Sequence, residues 1–117
     1  MQDPKELKVW EKSHQLTKSI YRLTASFPRE ELYGLTSQIR RASASIPANI
    51  AEGSGRKTNA DFARFLAISL GSTNEVEYFL LLARDLKYLG ETEYLLLHDQ
   101  LVEIRKMLSS FSSKISS

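Results

Sequence analysis

The chain has 117 residues, 42% of them hydrophobic and 26% charged, a net charge of +2 and no cysteine, which is the composition of one ordinary globular domain spanning 1–117. The missing thiols exclude disulfides, thiolate metal sites and cysteine nucleophiles, and they suit a reducing cytoplasm. The opening segment MQDPKELKVW mixes acids with bases and has no apolar core, which argues against a signal peptide, and no apolar run approaches the ~18 residues of a membrane span.

Four segments carry helical periodicity. In the first, from about Lys5 to Ser26, Val9, Leu16, Ile20, Leu23 and Phe27 form a stripe at helical spacing. Pro28 then pushes Phe27 toward extended backbone. Pro28 to Leu35 reads as a loop with one short helical turn. The second helix is expected from Thr36, as N-cap, to about Glu52, with Ile39, Ala42, Ile46 and Ile50 facing inward. Pro47 lies inside it and predicts a kink, since proline removes one backbone hydrogen bond. The apolar spacing continues past it, so the helix is expected to continue too.

Gly53-Ser54-Gly55 predicts the end of this helix. Thr58 or Asn59 caps the third, with Thr58-x-x-Asp61 resembling a capping box. This helix is expected from about Ala60 to Leu89, along a stripe that includes Phe65/Leu66, Ser69, Ser72/Thr73, Val76 and Ala83, with Gly90 as the C′ residue. Thr92 caps the fourth, about Glu93 to Phe111, whose stripe is Leu97, Leu101, Ile104, Leu108, Phe111 and Ile115. The serine-rich stretch Ser109–Ser117 is expected to fray. Short connections join neighbours in space, so the expected fold is all-α, an antiparallel up-down-up-down four-helix bundle.

Motifs for chemistry are sparse. Glu11-x-x-His14 is half of a di-iron signature, but Leu95 stands where a second acid would precede His98. Gly53-Ser-Gly-Arg-Lys-Thr58 lacks the glycine before lysine and the preceding strand of a phosphate loop, and reads as a helix-capping turn whose free amides suit an anion. Neither histidine can be paired by sequence with a nucleophile and an acid. No cofactor is expected, and the reading is non-enzymatic.

Two features exceed what a bundle needs. Tyr78–Ala83 and Tyr94–Leu97 are apolar around most of the helix circumference, so Tyr78, Leu81, Leu82, Tyr94 and Leu95 are candidate oligomer contacts. Charge is also uneven. The end holding the start of helix one, the 53–58 turn and the end of helix four collects nine bases against five acids, a net of +4, and the other end −2. Repeated around a ring, the basic end would suit phosphate backbones.

Tyr33-Gly-Leu-Thr-Ser-Gln-Ile-Arg-Arg-Ala-Ser-Ala-Ser-Ile-Pro-Ala-Asn-Ile-Ala-Glu-Gly-Ser-Gly-Arg56 resembles the four-helix-bundle family of 23S rRNA intervening-sequence proteins. The resemblance continues through Phe62-x-x-Phe-Leu66 and Gly71-Ser-x-x-Glu-Val76, and includes Trp10 and the Phe27-Pro28 break. It implies a homo-oligomer, a five-fold ring of bundles. It also implies kinship with accessory proteins of diversity-generating retroelements, which bind nucleic acid and a reverse transcriptase through basic surfaces. Arg40, Arg41, Arg56, Lys57 and Arg64 are the candidate phosphate contacts for RNA or DNA, although Arg40 and Arg41 fall at the opposite bundle end. The alternative is an oligomeric protein-interaction scaffold without nucleic acid. A small helical enzyme using Asn49, Glu52 and Glu75 is a third reading. The motif's small and polar residues Asn49, Ser69, Ser72 and Thr73 are expected to serve structure, supplying donors to carbonyls displaced by Pro47.

Overall fold

The structure, a computed structural model describing residues 3, 4 and 7–116, contains four helices and no strand among the described residues. They are α1 (Lys8–Thr24), α2 (Leu35–Ser54), α3 (Asn59–Asp85) and α4 (Glu91–Ser116), with a 3₁₀ turn at Arg29–Glu31. The 27 residues of α3 span about 40 Å at 1.5 Å per residue, close to the 43 Å long axis of the molecule. Each helix packs against two others, in the cyclic order α1, α2, α3, α4. Contacts across the α1–α2, α2–α3 and α3–α4 seams run in opposite chain sense. Thr17 meets Ser43 while Thr24 meets Arg40, Ser69 meets Ile46 while Ser72 meets Ser45, and Phe62 meets Phe111 while Arg84 meets Tyr94.

The predicted stripes form the core. Leu16, Ile20, Ile39, Ile46, Ile50, Leu66, Val76, Leu80, Leu101, Ile104 and Leu108 are all fully buried. Local chemistry moves the ends of the elements. The expected start at Lys5 lies outside the described residues. Thr36 does not cap α2; it is buried in the first turn. Glu31 does the capping, with its Oε1 accepting the Leu35 N–H at 3.0 Å and its Oε2 accepting the Tyr88 hydroxyl at 2.9 Å. One carboxylate therefore ties the start of α2 to the chain after α3, and that bond, with burial, raises the Tyr88 phenol above its ordinary range.

The second helix runs through Pro47 and past the expected stop at Glu52 to Ser54. Gly53 is interior and buried because α3 passes against it: a Cβ there would sit 2.7 Å from Phe65 Cβ and 2.8 Å from Phe62 Cδ1. Proline at 47 leaves the Ser43 carbonyl without its helical donor. The Thr17 hydroxyl of α1 supplies one at 2.9 Å, sharing its proton with the Ser13 carbonyl. From the other side Ser69 donates to the Ile46 carbonyl at 2.9 Å. Donors were expected from α3 and Asn49; the Ser43 carbonyl is served from α1, and Asn49 bonds the Ser45 carbonyl of its own helix at 2.8 Å.

Thr58 caps α3 as expected, its hydroxyl accepting the Asp61 N–H at 3.1 Å. The helix ends at Asp85, four residues short of Leu89. Lys87, not Gly90, takes the left-handed position, with φ 64°. The Lys87 N–H bonds the Arg84 carbonyl and the Tyr88 N–H the Ala83 carbonyl, which closes the helix in a Schellman motif. Gly90 instead precedes α4: its carbonyl accepts the Tyr94 N–H, and its N–H bonds Glu93 Oε1 at 3.0 Å. Thr92 is thus inside the first turn, not the cap. The serine-rich end stays helical to Ser116, since Phe111 and Ile115 pack against the core and Phe111 meets the Phe62 ring edge-on.

Candidate nucleic-acid interface

The α2–α3 turn gathers three of the five predicted phosphate contacts. Phe65, nearly two turns into α3, is buried at the base of this turn. The guanidinium groups of Arg56 and Arg64 lie over its ring, at 4.6 and 4.5 Å from the centroid. Asp61 offsets their mutual repulsion, 3.0 Å from Arg64 and 3.8 Å from Arg56, and Glu52 lies 3.5 Å from Arg56. Each guanidinium has five N–H donors in a fixed fork. Asp61 engages only Nε of Arg64, and that side chain is more than half exposed, so donors remain for an incoming oxyanion. Lys57 is exposed beside them and makes no ion pair among the described residues. The same shallow basin includes Thr58 and Ala60 at the start of α3, where helix-end amides face outward.

Arg40 and Arg41 are not part of this basin. They stand about 16 residues up α2 from Arg56, roughly 24 Å along the axis. Arg40 braces α1, donating from Nε to the Thr24 hydroxyl at 2.8 Å and lying over the Tyr21 ring. Arg41 is exposed, bonded to Gln38 and 3.6 Å from Glu75. The charge asymmetry is also narrower than the chain order implies. Lys12 pairs with Glu103 at 2.6 Å and Arg105 with Glu77 at 2.8 Å, so two cations assigned to the basic end meet acids assigned to the other.

The apolar residues divide as well. Tyr78 is 57% and Leu95 50% exposed, open to a partner. Leu81 and Leu82 are half-buried and packed on the core. Tyr94 is 8% exposed, its ring covered by Arg84 and stacked on His98. It is therefore a core residue, not an oligomer contact, because the α3–α4 seam closes over it. Leu96, 60% exposed, turns toward α1 beside Arg22 and Leu23.

Sequence reasoning missed one cluster. Glu77 on α3 receives Arg105 on one carboxylate oxygen and faces His98 Nε2 with the other, at 3.0 Å. Burial pulls the Glu77 carboxyl up, but the hydrogen bonds and charges of Arg105 and His98 together outweigh it and hold it below its ordinary range. A search for Glu-x-x-His within one helix cannot find a pair 21 residues apart. The Asn49, Glu52 and Glu75 groups do not converge: each is engaged separately, with Ser45, Arg56 and Arg41. Glu11 bonds Gln15 within its own helix, and His14 stacks on Trp10.

The sequence between residues 5 and 110 matches the family described as 23S rRNA-intervening sequence protein. The chain belongs to that family. Among solved structures, it is similar to a protein of unknown function from the S23 ribosomal protein family of Bacteroides thetaiotaomicron VPI-5482. The two are 31% identical, the similarity covers 89% of this chain and 97% of that one, and the TM-score is 0.80. No curated protein matches the chain. Membership in the 23S rRNA-intervening sequence family agrees with the four-helix fold, and no described helix is long and apolar enough to cross a membrane.

Proposed function

We propose that this protein is a non-enzymatic, cytoplasmic homo-oligomer, a pentameric ring of four-helix bundles, that associates with RNA or DNA through the turn before α3. The observation that carries the reading is the Phe65 platform, which holds Arg56 and Arg64 side by side next to the exposed Lys57 and the first amides of α3. One such turn is a weak site; several on one face of a ring add their phosphate contacts. Exposed Tyr78 and Leu95 support self-association. Arg40 and Arg41 contribute less, since both already serve contacts within the bundle. A reverse transcriptase or another protein is a further candidate partner, by kinship with retroelement accessory proteins.

The test is fluorescence anisotropy with a labelled structured RNA and a DNA of equal length at low and near-physiological salt. Binding is expected to fall steeply with salt, as phosphate contacts release counterions, and to show little sequence preference. Arg56→Glu with Lys57→Glu should abolish most of the signal and leave the helical circular dichroism unchanged. Light scattering should give a mass near five times the 13.3 kDa monomer. An oligomer that binds neither nucleic acid at about 50 mM salt, where phosphate contacts are strong, is a protein-interaction scaffold. Asp61 and Glu52, which partly neutralise the arginines, favour that second reading.

A further inference from the structure

The seam between α1 and α4 is open at both ends, and the two ends differ in kind. Beside Leu23 and Leu96 the opening is flanked by Arg22 and Glu93, one charge of each sign. In the middle the Lys12–Glu103 pair bridges it. Where α1 begins, it widens into a groove with an apolar floor of Leu7, Met107, Phe111 and Ile115. Lys8 stands on the α1 wall and Lys106 on the α4 wall; both are exposed, and neither makes an ion pair among the described residues. Lys114 also lines the groove, and no acidic side chain does among the described residues.

We infer that this groove docks an acidic amphipathic helix of a partner protein. The floor sets the shape of the occupant. Met107, Phe111 and Ile115 are spaced i, i+4, i+8 on one face of α4, a straight apolar row about 12 Å long. A helix laid along such a row presents two or three apolar side chains over about two turns. The edge-on contact of Phe111 with Phe62 holds the floor in place before anything binds. The walls set the charge: Lys8 on one side and Lys106 on the other complement carboxylates on both flanks of the bound helix. A phosphate backbone satisfies the lysines but leaves the apolar floor uncovered. The inference is independent of the nucleic-acid reading, which rests on the adjacent Arg56–Arg64 turn.

The probe is a fluorescein-labelled designed peptide of about 16 residues, roughly four turns, with leucines along one face and glutamates on both flanks. Anisotropy with the full chain should show saturable binding. Lys8→Glu with Lys106→Glu, both at exposed positions, should weaken it about tenfold or more and leave circular dichroism unchanged. A companion peptide with lysines in place of the glutamates should then bind the doubly reversed variant better than the wild type. Met107→Ser should weaken the acidic peptide with both lysines intact. Arg56→Glu with Lys57→Glu should leave peptide binding unaltered, which separates this site from the nucleic-acid surface. Equal binding of a peptide whose leucines are replaced by serine would overturn the inference, since charge attraction alone would then explain the signal. A lower mass of the lysine-reversed variant by light scattering would also overturn it, because a second copy of this chain would then fill the groove.

Discussion

The α2–α3 and α1–α4 seams are built from opposite materials. Between α2 and α3 the side chains are small and the polar groups are buried and satisfied. Ser69 bonds the Ile46 carbonyl, Ser45 meets Ser72, and Gly53 lets the two backbones approach until a single methyl group would not fit. Between α1 and α4 the contacts are long and charged, the Lys12–Glu103 pair is about half exposed on both sides, and the seam stays open at both ends. A close seam with satisfied hydroxyls fixes one arrangement, because an error of an ångström leaves a buried polar atom without a partner. A seam bridged by flexible charged chains tolerates movement and leaves room for a ligand. One side of the bundle is a frame and the other is a surface.

The comparison is tested most severely at Ile46, which is fully buried where α2 meets α3. Ile46→Ala should cost about 2–5 kcal/mol through lost transfer energy and a cavity. Met107→Ala, in the half-buried floor of the α1–α4 groove, should cost under about 2 kcal/mol, because less apolar area leaves water on folding. Denaturant melts measure both, and equal losses would break the distinction. Gly53→Ala should cost about 1–3 kcal/mol, since the new methyl forces Phe62 and Phe65 aside. A neutral result would mean that the close approach of the two helices is not maintained in solution. Thr17→Val keeps the shape but leaves the Ser43 carbonyl without its donor, and about 1 kcal/mol should be lost.

The α3–α4 seam adds a pH dependence. The folded Glu77 carboxyl titrates below its ordinary 4.5, so its stabilising contribution is complete above that value. It is lost as pH falls through the lowered folded pKa. Acid unfolding of Glu77→Gln should therefore be less steep below about pH 4.5 than that of the wild type; superimposable curves would remove Glu77 from the account. Lys12→Gln should produce the smallest effect, under about 0.5 kcal/mol, because an exposed ion pair gains little over its hydrated partners. A loss of about 1 kcal/mol or more would mean that the α1–α4 seam is held more firmly than its openness implies.

Local order was legible in the sequence wherever neighbours along the chain decide it. Helical stripes at Val9–Ile20, Ile39–Ile50 and Leu97–Leu108 became the buried faces, Thr58 capped α3, and the Tyr33–Arg56 motif indicated the family, because periodicity, capping and motif all act within a few residues. Tertiary structure decided what depends on residues far apart. Gly53 belongs to a helix and not to a loop because α3 lies against it. Lys87 takes the left-handed turn that Gly90 was expected to take because α3 ends where Tyr88 reaches Glu31. Tyr94 is core because Arg84 and His98 cover it, and Arg40 is a brace because α1 offers Thr24 and Tyr21. Glu77, His98 and Arg105 form one cluster, and the basic end is narrower than counted, because charges on different helices meet only across a seam. The sequence alone determined that the chain forms four helices and which face of each avoids water; packing determined where those helices end and which polar groups were left over, since a side chain is free only after every helix beside it has taken its partners.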